Sequence, residues 1–106
     1  MGDIYMIVDI KASPLKTKRY RVFLDNGNYY DFGLKGGSTY LDHKDKFIRK
    51  NYWRRHYANP TEQILIDNLV PSPALFSAYL LWGHSTDLND NINHLNHLWK
   101  IKHYKC

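Results

Sequence analysis

Residues 20–32 read YRVFLDNGNYYDF. Two short stretches rich in aromatic and branched apolar residues, Tyr20–Leu24 and Tyr29–Phe32, flank Asp25-Asn26-Gly27-Asn28. Asn-Gly is the preferred pair where a tight hairpin needs positive φ at both central positions, so the segment predicts a hairpin turning at Asn26-Gly27. Upstream, Ile4-Tyr5-Met6-Ile7-Val8 predicts another strand, and Ser13-Pro14 falls in the link, where a missing amide donor does no harm. Three antiparallel strands form a small meander with one face to cover. Gly33, Gly36 and Gly37 then turn the chain out of the sheet.

Downstream the pattern changes to helix. Asn59-Pro60-Thr61-Glu62 combines an N-cap residue, proline at the first helical position and a glutamate three residues past the cap. Ile64, Leu65, Leu69 and Val70 would supply the apolar side of that helix. Ser72-Pro73 repeats the start signal for Ala74 to Trp82, a run apolar nearly all round and therefore expected to be buried, with Gly83 as its stop. Ser85 or Thr86 would cap the last helix, where Leu88, Ile92, Leu95 and Trp99 recur at steps of four, three and four. With Phe76 and Leu80, these are the expected core. The fold class is α+β: a three-stranded antiparallel meander (residues 1–33) followed by three to four short helices (residues 42–101), in a single domain over 1–106.

The chain has 106 residues and a formal net charge of +5. Residues 1–57 hold 12 Lys/Arg against 6 Asp/Glu, whereas residues 58–106 hold 3 against 4. The positive half favours an anionic partner. A single cysteine, Cys106, excludes an internal disulfide framework. The N-terminus lacks a charged segment followed by a long apolar one, so no signal peptide is expected. The longest apolar run, Ala74–Trp82, is about half of the ~20 residues that span a bilayer.

The densest chemistry lies at His43–Tyr57, HKDKFIRKNYWRRHY, with six Lys/Arg, two His and four aromatics in fifteen residues. On a helical wheel Phe47, Ile48, Tyr52, Trp53 and Tyr57 form no single stripe, which points to a surface where cations meet phosphates or acidic side chains. The candidate binding residues are Lys46, Arg49, Lys50, Tyr52, Trp53, Arg54, Arg55 and His56. The bland alternative buries the rings and lets the cations snorkel. Paired aromatics on a sheet surface, the usual mark of single-strand binding, are not visible. His94, His97, His103 and Cys106 lack the spacing of a zinc site, and His94 and His97 fall away from the apolar stripe. Asp42-His43-Lys44-Asp45 is read as the N-terminal anchor of the basic helix, with Asp42 capping, rather than as a catalytic cluster. Gly33–Thr39 lacks the GKS/GKT order of a phosphate-cradling loop. No catalytic residue, metal or cofactor is expected.

One ordered set of motifs remains. A tyrosine-rich hairpin ends Asp31-Phe32-Gly33, and Gly36 or Gly37 leads to a turn from Tyr40 to His43-Lys44-Asp45. Arg49, Tyr52 and Arg55-His56 follow, then a proline-framed segment ending Leu80-Leu81-Trp82 and a capped amphipathic helix. From about Tyr20 to Trp99 this set resembles a family of short uncharacterised proteins, a domain of unknown function, encoded by large nucleocytoplasmic DNA viruses. Ser77-Ala78-Tyr79 and Gly83 stand where many members have an arginine or tryptophan before the Leu-Leu-Trp and an asparagine after it. The resemblance implies a giant-virus genome, in keeping with abundant Asn, Ile, Lys and Tyr, and small basic proteins packaged in the particle. The expected function is therefore that of a non-enzymatic virion protein (minor capsid, cement or internal component), contacting capsid or other virion proteins and present in host cytoplasm during assembly. A small basic nucleic-acid-binding factor of genome packaging or expression is the alternative, with residues 44–57 as the contact.

Overall fold

The computed structural model describes residues 5–105. Ile4, Cys106 and the His103 side chain lie outside what is described.

Three strands, β1 (Ile7–Ala12), β2 (Tyr20–Leu24) and β3 (Tyr29–Phe32), form an antiparallel sheet in the order β1-β2-β3. The α+β class and the meander follow the expectation, but two local readings need correction. The turn between β2 and β3 is a three-residue loop. Leu24 and Asn28 close it (Leu24 N–H to Asn28 O, 2.9 Å), and the Gly27 N–H donates back to Leu24 O at 3.1 Å. Only Gly27 has positive φ, at 89°, while the Asn26 Oδ1 accepts the Asn28 amide at 2.9 Å. This is a type I turn finished by a left-handed glycine, not a two-residue turn with both residues left-handed. The first strand also lies later than Ile4–Val8. It pairs along its length with β2, and Ile10↔Val22 and Ala12↔Tyr20 fall on the inner face. A register shift between Ile7 and Asp9 keeps Ile7 inward. Tyr5 packs its ring against Trp99, 5.6 Å between centroids.

The helical part contains α1 (Tyr40–His43), α2 (Lys46–Tyr57), α3 (Pro60–Asp67), α4 (Pro73–Phe76) and α5 (Leu88–Lys105). A π-helical turn, Ser77–Leu81, extends α4 without a break. Asn59 and Ser72 cap α3 and α4 as read from sequence, each accepting backbone amides, with Pro60 and Pro73 following. Elsewhere the caps differ. Asp45, not Asp42, caps α2, its Oδ1 accepting from Phe47 N (2.9 Å) and Ile48 N (3.3 Å). At α5 the cap is Asp87, whose carboxylate accepts the Asn89 amide at 2.9 Å. The Ser85 hydroxyl instead accepts the Asp87 amide.

The inner sheet face supplies Val22, Leu24 and Phe32, all buried, to a core completed by Ile66, Leu75, Phe76, Leu80, Leu81, Leu95 and Trp99. Phe76 sits at its centre, 5.4 Å from the Tyr30 ring, 5.7 Å from Phe32 and 6.2 Å from Trp99. Tilted and edge-on contacts of this kind add to plain area burial. Four of the six expected core residues are buried; Leu88 and Ile92 lie at the margin. In α3 the buried residue is Ile66 and Ile64 is exposed, as is Val70 beyond the end of the helix.

The chain between α4 and α5 is held by Asn91, which is fully buried. Its Nδ2 donates to Leu80 O (3.0 Å) and Ser85 O (2.9 Å), and its Oδ1 accepts the Ser85 amide (3.0 Å). Gly83 is needed for closeness rather than for φ: a Cβ there would lie 2.2 Å from Tyr79 O and 2.7 Å from Asn91 Cγ. Among the described residues no helix is long and apolar enough to cross a membrane.

Candidate functional site

The basic stretch forms α2, and the helix divides its side chains by direction. Arg49, Tyr52, Trp53 and His56 are spaced three, one and three apart, which puts them on one face. That face is turned inward. Tyr52 is buried and stacks on Trp82, with ring centroids 4.3 Å apart and planes within 6°. His56 packs on the other side of this stack, 4.1 Å from Tyr52, and His43 lies 5.3 Å from Trp82. A column of four rings thus joins α1, α2 and the end of the π turn. The Trp53 Nε1 donates to Trp82 O at 2.8 Å, and the Arg49 Nε donates to Trp82 O (3.1 Å) and Gly83 O (2.7 Å). Two carbonyls left over by the end of a helical segment thereby find donors on a neighbouring helix. His56 Nδ1 meets Glu62 Oε2 at 2.8 Å and ties α2 to α3.

Lys46, Lys50, Arg54 and Arg55 take no part in these contacts and are all exposed. Among the described residues none of the four forms an ion pair. Phe47 (71% exposed) and Ile48 (44%) lie between these cations. Of the two readings of this stretch, α2 follows the one with rings turned inward and cations in solvent, although it forms an inward stripe that the apolar residues alone did not show. Its inward stripe becomes visible only when Arg49 and His56 count as inward residues. Of the eight candidate binding residues, four anchor the helix and four meet solvent.

The four-residue cluster before α2 is divided among separate structural tasks. Asp42 accepts the Thr39 amide (2.8 Å) and forms a two-pronged ion pair with Arg19, at 2.8 and 3.0 Å. Arg19 and then Thr39 hold its carboxyl well below the usual range. His43 Nδ1 accepts the Asp45 amide at 2.9 Å, so the neutral ring carries its proton on Nε2. That nitrogen is buried without a hydrogen-bond partner. Lys44 ends α1 at φ 59°. Burial first, then the charge of Glu62, raises the Tyr52 hydroxyl pKa, so Tyr52 stays neutral.

A cleft of about 580 Å³ opens beside this helix, lined by Lys18, Ser38, Arg55, His56, Glu62 and Ser77 among others. A second, of about 410 Å³, contains Arg49, His84 and His94. His94 is not the free solvent residue expected. Its Nδ1 lies 2.8 Å from Nδ1 of His84, and burial first, then His84 and His97, lowers its pKa. Among the described residues no group of three or more His, Cys, Asp or Glu side chains is placed to hold a metal ion.

Sequence reasoning also missed a surface feature: Phe23 and Tyr29 are in register across β2 and β3, on the face turned from the core. The pairing follows from the three-residue loop, and Asn-Gly read as a two-residue turn pairs other residues.

Residues 8–56 match the model of a family described as of unknown function (DUF5754). The match covers an uncharacterised domain made of nearly the whole sheet, α1 and α2 to its penultimate residue. No curated protein and no solved structure matches the chain.

Proposed function

We propose that the protein is a non-catalytic component of a large DNA virus particle, held there by the solvent face of α2 docking on an acidic protein surface. One observation carries the choice of partner. Lys46, Lys50, Arg54 and Arg55 are exposed around Phe47 and Ile48, while Tyr52 and Trp53 are committed to the interior. Cations without stacking rings attract any polyanion; exposed apolar side chains among them favour a protein partner, where they can be covered. The particle setting is supported by the ordered motifs from Tyr20 to Trp99 and by the Asn/Ile/Lys/Tyr-rich composition. The absence of catalysis is supported by the use of Asp42, His43 and Asp45 for ion pairing and capping.

The test is a virus whose copy carries Arg54→Glu and Arg55→Glu together. Both residues are exposed, so the chain should still fold and accumulate in infected cells. Its ratio to the major capsid protein in purified particles should fall at least about tenfold. Unchanged incorporation would refute docking through α2. Submicromolar binding of a 20-bp duplex at 150 mM salt, lost with the same variant, would replace the protein partner by nucleic acid. In that case each phosphate contact should contribute roughly −0.9 to the slope of log affinity against log salt.

A further inference from the structure

Among the described residues, no helix of the core packs on the second face of the sheet. Side chains alternate across a strand, so with Val22, Leu24 and Phe32 buried on the inner face, their neighbours point away. The register puts Asp9, Phe23 and Tyr29 in one row across the three strands, and Lys11, Arg21 and Asp31 in another. The rings of Phe23 and Tyr29 are 6.1 Å apart, and Tyr29 is 51% exposed. Each ring has a cation over one face: Lys11 Nζ lies 5.8 Å from the Phe23 centroid and Arg21 Cζ lies 4.2 Å from that of Tyr29.

These groups are held rather than loosely placed. Arg21 forms a two-pronged pair with Asp31 at 3.0 and 3.1 Å, and the Ser13 hydroxyl donates to the same carboxylate at 2.7 Å. That fixes a flat guanidinium over the Tyr29 ring, itself a surface on which a base can stack. The two carboxylates on the face are both matched, Asp31 by Arg21 and Asp9 by Lys11 at 3.6 Å. The link from β1 to β2 adds Lys16 and Lys18, and from Ile10 to Leu24 the chain has no acidic residue. The two rows are themselves neutral, and the positive excess lies in the link.

We infer that this face binds single-stranded nucleic acid, two successive bases stacking on Phe23 and Tyr29 while Lys11 and Lys16 contact the phosphates. Every base has a π face, so stacking on paired rings tolerates sequence, and cations beside the rings follow the backbone. A duplex hides its base faces and can use only the cations. The surface differs from the docking face of α2 and does not depend on its partner. A particle protein with both would have one surface for protein and another for unpaired nucleic acid.

Fluorescence anisotropy with a 12-nucleotide labelled oligo(dT) at 150 mM salt tests the inference. The wild-type chain should bind it in the micromolar range or tighter, and bind a duplex of equal length at least about tenfold more weakly. Tyr29→Leu and Phe23→Leu retain apolar cover but remove a ring, and each should weaken single-strand binding about tenfold. Arg54→Ala with Arg55→Ala should leave that binding within about twofold. Aromatic NMR spectra of the wild-type chain provide a readout independent of the variants' stability: the Phe23 and Tyr29 ring signals should move upfield as oligo(dT) is added. Equal binding by the ring variants, or shifts confined to α2, would overturn the inference. So would self-association in sedimentation that disappears with Tyr29→Leu, because the rings would then serve a protein interface.

Discussion

Replacing Asn91 by alanine should unfold the junction between α4 and α5 far more than its polar identity suggests. The side chain is fully buried and makes three hydrogen bonds to backbone groups of Leu80 and Ser85. Truncation leaves the Leu80 carbonyl in the core without a partner, and the amide and carbonyl of Ser85 at a half-buried position where water can reach them. An unsatisfied buried group costs about 1–3 kcal/mol, and the half-buried pair adds less than two full penalties. Alanine's better helix propensity returns about 0.5 kcal/mol. The net loss should be about 2–4 kcal/mol, or on the order of 10 °C or more in Tm for a domain of this size. Urea denaturation followed by far-UV circular dichroism measures it, with an unchanged m-value showing that a single transition is compared. Asn93→Ala, exposed on the same helix, is the control and should stay within about 0.5 kcal/mol. Asn91→Asp keeps an acceptor for the Ser85 amide but turns a carboxylate toward two carbonyls, so it should be no milder than alanine. If Asn91→Ala matches the Asn93→Ala control, the reading of this junction is wrong.

Leu95→Ala, at a fully buried site, should cost about 2–5 kcal/mol by the same urea assay; a loss under about 0.5 kcal/mol would mean that the α5 stripe does not face a core. Arg49→Met removes the donor to the Trp82 and Gly83 carbonyls and should cost about 1–3 kcal/mol, whereas Arg54→Met should cost under about 0.5 kcal/mol. Equal effects would contradict the division of α2 into an anchored and a solvent face. Asp42, its carboxyl pKa lowered by Arg19, contributes stability above the ordinary carboxylate pKa near 4 and loses it as pH falls toward the folded value. The gap in urea midpoint between wild type and Asp42→Asn should therefore be full at pH 7 and shrink toward pH 2, and a gap independent of pH would remove the role assigned to the pair.

The sheet, the proline-marked helix starts and the α5 stripe were legible because each rests on local chemistry. Asn59-Pro60 and Ser72-Pro73 use side-chain acceptors and a missing amide that operate within one turn. Errors arose where distant partners decide. Asp42 could have capped α2 by spacing alone, but Arg19, twenty-three residues away, pairs with it, and Asp45 caps instead. In α2 the wheel failed because only apolar residues were counted. Arg49 and His56 face inward because the carbonyls of Trp82 and Gly83 and the carboxylate of Glu62 await them, none of them local to the helix. His84 and His94 come together across the loop before α5, which spacing on one helix could not reveal. The Phe23–Tyr29 pair was hidden for a simpler reason: a hairpin's facing residues follow from its loop length, and a two-residue turn would have paired different ones.

Whether the chain is a particle component, as proposed, is decided by quantitative mass spectrometry of purified, nuclease-treated particles of the large DNA virus proposed as its source. The protein should appear at a fixed ratio to the major capsid protein across independent preparations. Its absence from particles, with the protein abundant in infected cells, would contradict the proposal.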